Sequence, residues 1–175
     1  MASPWLLAFD TSTPRSVIVL GKADSSQPQV ADARTDGANQ ASSTLVPRIQ
    51  AVVEQAGLAM QDVAAIVCGC GPGTFTGTRV GVATAKGLSL GLGCPLYACS
   101  SLLGIAASTG ARGPILATLD ARRKQVYAAL FEVEEPAAEN IAIRAHRLSD
   151  EVCADLGDLF TGSDFDVPAG TTLAG

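Results

Sequence analysis

The residues that could do chemistry cluster in two short segments. Gly71-Pro72-Gly73-Thr74-Phe75-Thr76-Gly77 lies between an apolar run, Val63 to Cys68, and a helical stretch. A strand, a glycine-rich turn and a helix start together present free backbone N–H groups beside a positive helix dipole, which suits an anion. The second segment, Asp10-Thr11-Ser12, follows another apolar run. Its carboxylate could orient a metal-bound water while the hydroxyls donate to phosphate. Asp10, Thr11, Ser12, Gly71, Gly73, Thr74 and Thr76 are therefore the candidate phosphate- or nucleotide-binding set. Their chemistry would be that of an ATP-dependent transferase or phosphatase using Asp10 with Mg²⁺.

A plainer reading stands beside this one. Glycines also permit tight turns and close packing of a helix on a sheet, and Asp10 can close an Asx-type turn in a hairpin. The loop is not a P-loop, because no Gly-Lys-Ser/Thr follows five residues after Gly71 or Gly73. It is not a dinucleotide fingerprint either, because Thr76 stands where the third glycine belongs.

The single histidine, His146, excludes a paired-histidine metal site and reads as a surface residue on an edge strand. The five cysteines, with Cys68 and Cys70 in C-x-C spacing, read as reduced, small core residues. Asp120-Ala121-Arg122-Arg123-Lys124 reads as a solvated hairpin tip, with a phosphate contact as the alternative.

The elements that must position these residues follow from periodicity. Trp5–Asp10 and Arg15–Gly21 predict a strand hairpin, and Gln29–Ala33 a weaker third strand. Leu45, Val46, Ile49, Val52, Val53 and Ala56 recur on one face of a helix capped at Ser42 or Ser43 and closed by Gly57. Val63–Cys68 predicts a strand, Thr78 to about Gly91 a helix, Pro95–Cys99 a strand and Ser100–Ser108 a short helix. A lobe boundary is expected at Gly110–Gly113, giving lobes 1–109 and 110–175. Beyond it, Ile115–Leu119 and Gln125–Val133 predict paired strands. Weaker signals are a strand at Ile141–Ala145, a helix near Asp150–Leu156 and a strand at Leu159–Thr161. Hairpin strands followed by β-α-β units indicate an α/β protein with a mixed sheet flanked by helices.

The helix after the glycine loop carries small residues every four positions: Gly77, Gly81, Ala85 and Ser89. Such a stripe lets another backbone approach closely. Val80, Val82, Leu88 and Leu90 spread over its other faces, so the helix is expected to be buried on more than one side, either inside the chain or against a partner.

Composition bounds the function. The chain has 175 residues, 47% hydrophobic and 17% charged, with a net charge of −5. That is enough apolar material for a real core. Residues 135–175 hold two basic and eight acidic side chains, which argues against a broad nucleic-acid-binding surface. A secretory leader and a membrane-spanning segment are not expected, and a cytoplasmic protein is.

Leu7-Ala8-Phe9-Asp10-Thr11-Ser12-Thr13, the Gly71–Gly81 motif, Ala83-Thr84-Ala85-Lys86-Gly87-Leu88 and Leu119-Asp120-Ala121-Arg122, in that order, closely resemble the bacterial TsaB (YeaZ) family over about residues 5 to 131. The resemblance implies the actin/Hsp70/sugar-kinase (ASKHA) two-lobe fold, each lobe built on a ribonuclease-H-like βββαβα plan. It implies a non-catalytic subunit for threonylcarbamoyl modification of adenosine 37 in tRNA. Its implied partners are itself as a homodimer, a TsaD-like catalytic paralogue as a heterodimer, and a TsaE-like ATPase. Transfer RNA is expected only through that complex, and no membrane.

The M22 glycoprotease label attached to the wider group finds no support in these residues. The catalytic paralogue's metal-binding His-x-x-x-His pair falls where this chain has Ser100-Ser101-Leu102-Leu103-Gly104-Ile105, so neither metal nor catalytic residue is expected. No cofactor is expected to be required, with weak ATP, ADP or Mg²⁺ binding the most that remains. The implied dimer interface takes Leu45, Ile49 and Val53 from one helix and Gly77, Val80, Gly81, Thr84, Ala85 and Leu88 from the next. Family members run further, so the second lobe is expected to be incomplete.

Overall fold

The computed structural model describes residues 3–25, 28–35, 41–134, 144–155, 157–160 and 167–175. It divides into two compact units, Met1–Cys99 and Ser100–Gly175.

In the first unit, strands β1 (Trp5–Asp10), β2 (Arg15–Lys22) and β3 (Val30–Thr35) form an antiparallel meander. Helix α1 (Ala41–Gln55) leads to β4 (Val63–Gly69), then α2 (Phe75–Leu92) leads to β5 (Leu96–Cys99). The sheet order is β3-β2-β1-β4-β5, with β4 parallel to both β1 and β5. This is the βββαβα order implied for the first lobe, continued by a fifth strand.

Alternation sorts the strand faces. Leu7 and Phe9 on β1, and Ile18 and Leu20 on β2, point into one core with Ile66 and Cys68 of β4. Leu45, Ile49, Val52 and Val53, at helical spacing on α1, complete it. Two expectations shift slightly. Helix α1 begins before Ser42, so Ser42 and Ser43 lie in its first turn. Helix α2 begins at Phe75, three residues earlier than expected, with Thr74 at its N-cap.

Arg48, the one buried charged residue among those described, anchors α1 to the meander. Arg48 donates from Nη1 to Ser16 Oγ at 2.5 Å and from Nε to Asp32 Oδ2 at 3.2 Å. Its guanidinium holds the Asp32 carboxyl below the usual carboxylate range, with Arg34 adding to the effect and burial opposing it.

The second unit holds α3 (Ser101–Ser108), β6 (Gly113–Arg122), β7 (Gln125–Val133), β8 (Ala145–Arg147), β9 (Val152–Asp155) and β10 (Thr172–Ala174). Strands β6 and β7 form the expected hairpin, β8 and β9 pair antiparallel with β7, and β10 runs parallel beside β6.

Three expectations change here, and one strand is new. The boundary falls at Cys99/Ser100 rather than at residues 109/110, because Leu102 and Ala106 of α3 pack into a core with Ile115, Ala129 and Phe131. The expected helix near Asp150–Leu156 is strand β9, since Val152–Asp155 pairs with Gln125–Ala128 and sheet pairing overrides weak helical propensity. Asp158–Phe160 forms a 3₁₀ turn rather than a strand. Strand β10 has no counterpart in the sequence reading. Residues 141–143 of the expected Ile141–Ala145 strand, and also Leu156 and Thr161, lie outside the described residues.

Candidate functional site

The two segments singled out by chemistry do meet in space. Strand β1 delivers Asp10-Thr11-Ser12 against the turn between β4 and α2. Asp10 Oδ1 accepts the Ser12 N–H at 2.7 Å, the Asx-type turn of the plainer reading. Thr74 N–H, at the N-cap of α2, donates to Ser12 O at 2.6 Å, and the Thr11 hydroxyl donates to Gly77 O at 2.7 Å. Thr11 and Ser12 are buried.

The glycines are explained by that contact. A Cβ on Gly77 would sit 1.9 Å from Thr11 O, one on Gly73 2.3 Å from Ser12 O, and one on Gly81 2.5 Å from Thr11 Oγ1. On the β4 side, a Cβ on Gly69 would strike Asp10 Cγ at 2.2 Å. At Gly77 and Gly73 backbone therefore lies where a side chain would otherwise stand, and at Gly81 and Gly69 another side chain does. Gly71, at φ +92°, turns the chain between β4 and α2. Of the candidate phosphate set, Asp10, Thr11, Ser12, Gly71, Gly73 and Thr74 are drawn together by bonds and packing within the chain, and Thr76 stands exposed on the first turn of α2. Cys68, beneath the turn, is pushed up to about 12 by burial, with the Asp10 and Cys70 charges adding, so its thiol keeps its proton.

The small-residue stripe on α2 points inward. Gly77, Gly81 and Ala85 are buried against the unit's own strands. Leu45, Ile49 and Val53 are likewise fully inside the core, and Val80 and Leu88 pack against it. Of the expected interface residues, only Thr84, Val80 and Leu88 keep part of their surface open. The close approach read from the stripe is made, at Gly77 and Gly81, to the segment that ends β1 and to β4.

The outward faces carry different residues. On α2, Thr76, Arg79, Ala83, Lys86, Gly87 and Leu90 follow one another at helical spacing, all exposed. Leu90 is 84% exposed and Phe75 70%, with the Arg79 guanidinium 3.6 Å above the Phe75 ring centroid. On α1, adjoining α2, Val46 is 39% exposed. Leu90 is one of the residues the sequence places on the other faces of this helix; Phe75 was not singled out, and its signal is its position on the face opposite the four-residue stripe.

Among the described residues no group of three or more His, Cys, Asp or Glu side chains is placed to hold a metal, and no helix is long and apolar enough to cross a membrane.

A parallel β1-β4-β5 core flanked by an antiparallel meander, with a second mixed sheet in its own unit, defines a two-unit α/β protein of the ribonuclease-H-like plan. Residues 35–154 match the model of the family described as TsaD, tRNA N6-adenosine threonylcarbamoyltransferase. The chain belongs to that family, and within it to the TsaB proteins. It is 34% identical over 140 residues to the Bacillus subtilis tRNA threonylcarbamoyladenosine biosynthesis protein TsaB, covering 78% of this chain and 58% of that one. An "uncharacterized protein" of Mycobacterium tuberculosis is 39% identical over 135 residues, covering 72% of this chain and 58% of the relative. The solved structure of YeaZ from Pseudomonas aeruginosa superposes with a TM-score of 0.72 at 26% identity, covering 86% of this chain and 67% of that one. The chain thus spans somewhat over half the length of these two curated relatives.

Proposed function

We propose that this chain is a non-catalytic subunit in the threonylcarbamoyl modification of adenosine 37 in tRNA, and that it acts in the cytoplasm by docking the outward faces of α1 and α2 on a TsaD-like paralogue. The observation that carries the docking is the apolar surface left on those faces, Leu90 and Phe75 above all, in a chain that belongs to this family. Exposed aromatic and aliphatic anchors on a rigid helix are what a packed interface uses. The same surface would serve a homodimer, in competition with the paralogue. A TsaE-like ATPase would join the paralogue complex.

The turn supports a structural role for the glycine-rich motif. Its glycines admit the Asp10–Ser12 segment, and the Thr74 amide that would face an anion donates to Ser12. We accordingly assign no required nucleotide or Mg²⁺ to this loop.

Light-scattering mass of the wild type and Leu90→Arg, each alone and mixed with the TsaD-like protein of the same organism, tests the reading. A wild-type dimer that exchanges into a heterodimer is expected, with both species lost in Leu90→Arg at an unchanged melting temperature. Gly81→Arg would not serve, because its side chain would collide with Thr11 inside the core. A wild-type monomer indifferent to the paralogue overturns the proposal.

A further inference from the structure

The β6–β7 hairpin ends in three consecutive cations, Arg122, Arg123 and Lys124, all exposed. None of them is ion-paired with a described residue. All three adopt left-handed backbone conformations, with φ of 69°, 53° and 69°. L-residues rarely hold that conformation, and glycine or asparagine would hold it more cheaply. The tip instead carries three long positive side chains, in a unit with only six basic against eleven acidic residues. Beside the tip, Asp155 of β9 lies opposite Gln125 of β7, and Arg123, Lys124, Asp155 and Gly157 line one concave surface.

Cations alone would fit any anion. Two cations with a carboxylate beside them fit a narrower class, in which a phosphate and a hydroxyl lie close together. A ribonucleotide backbone has both: phosphate oxygens for Arg123 and Lys124, and a 2′-hydroxyl that can donate to Asp155. We propose that the tip and its concavity form a direct contact for the phosphate–ribose backbone of RNA. The choice of RNA rests on the tRNA reading above. The contact itself would be a property of this chain, where tRNA was expected only through the complex.

The test measures anisotropy of a fluorescein-labelled, unmodified tRNA transcript against the isolated chain over a salt series, with a DNA of the same sequence in parallel. Wild type is expected to bind RNA with a salt-dependent affinity. The triple variant R122Q/R123Q/K124Q is expected to bind roughly tenfold or more weakly at low salt, with a slope of log affinity on log salt shallower by about 2. The charge-preserving R122K/R123K should retain binding, which separates charge from folding of the tip. Asp155→Asn should weaken RNA binding while leaving DNA binding unchanged. Equal RNA affinity and slope for wild type and the triple variant, or no RNA binding by wild type, overturns the proposal. Loss of RNA and DNA binding alike in Asp155→Asn overturns the ribose contact. The paralogue mass experiment is independent: RNA binding without heterodimer formation sinks the subunit reading and leaves this contact standing.

Discussion

Arg48 of α1 and Asp32 of β3 pair across the first unit. Arg48 is almost wholly buried, and Asp32 and Ser16 satisfy its guanidinium. Removing the carboxylate leaves a buried cation short of its partner, which costs far more than losing an exposed ion pair. Asp32→Asn is expected to lower unfolding free energy by about 3 kcal/mol at neutral pH, measured by urea denaturation. The pH dependence has a definite sign. Asp32 is more acidic folded than unfolded, so its stabilisation is complete above the unfolded carboxylate value of about 3.9 and disappears as pH falls through the lower folded value. Wild type should lose this contribution in that acid window, and the variant should show no such component. Cys68 makes the opposite case: raised to about 12 and buried, it is expected to resist alkylation at pH 8 while exposed Cys70 and Cys153 react.

Helix α2 holds two kinds of glycine, in the small-residue stripe and outside it. Gly77 meets Thr11 O at the distance where a methyl would have to stand, whereas a Cβ on Gly87 meets nothing within 4 Å. Gly77→Ala is therefore expected to destabilise by about 3 kcal/mol through overpacking against backbone. Gly87→Ala should stabilise by about 0.5 to 1 kcal/mol through helix propensity. Thermal unfolding of the two variants checks both signs. The four-residue spacing of small side chains was legible in the sequence, and so was the need for a close neighbour. Which neighbour was not, because Thr11 lies 66 residues from Gly77. Weak elements failed for a related reason. Val152–Asp155 becomes strand through pairing with β7, an edge that a local window does not contain.

Each unit has its own buried core: Leu7, Ile18 and Ile66 in the first, Ile115, Ala129 and Phe131 in the second. Protection should follow that division. Native-state hydrogen exchange is expected to find the slowest amides in β1 and β4 of the first unit and in β6 and β7 of the second. Edge strands β3, β5, β8 and β10 should exchange faster. Uniform protection across the described strands would contradict two separately cored units.

The sequence by itself determined the type and order of the elements from β1 through the β6–β7 hairpin, because hydrophobic period and glycine placement are local properties. It also determined the family, because the Gly71–Gly81 motif is long and specific. Its one histidine already excluded a paired-histidine metal centre. Tertiary structure decided which side of each helix is interior. Leu45, Ile49, Gly77 and Ala85 satisfy the spacing of an interface and of a core equally well, and only the sheet beneath them makes them core. The outward residues, Leu90 and Phe75, stay exposed because no described strand of their own unit reaches that face.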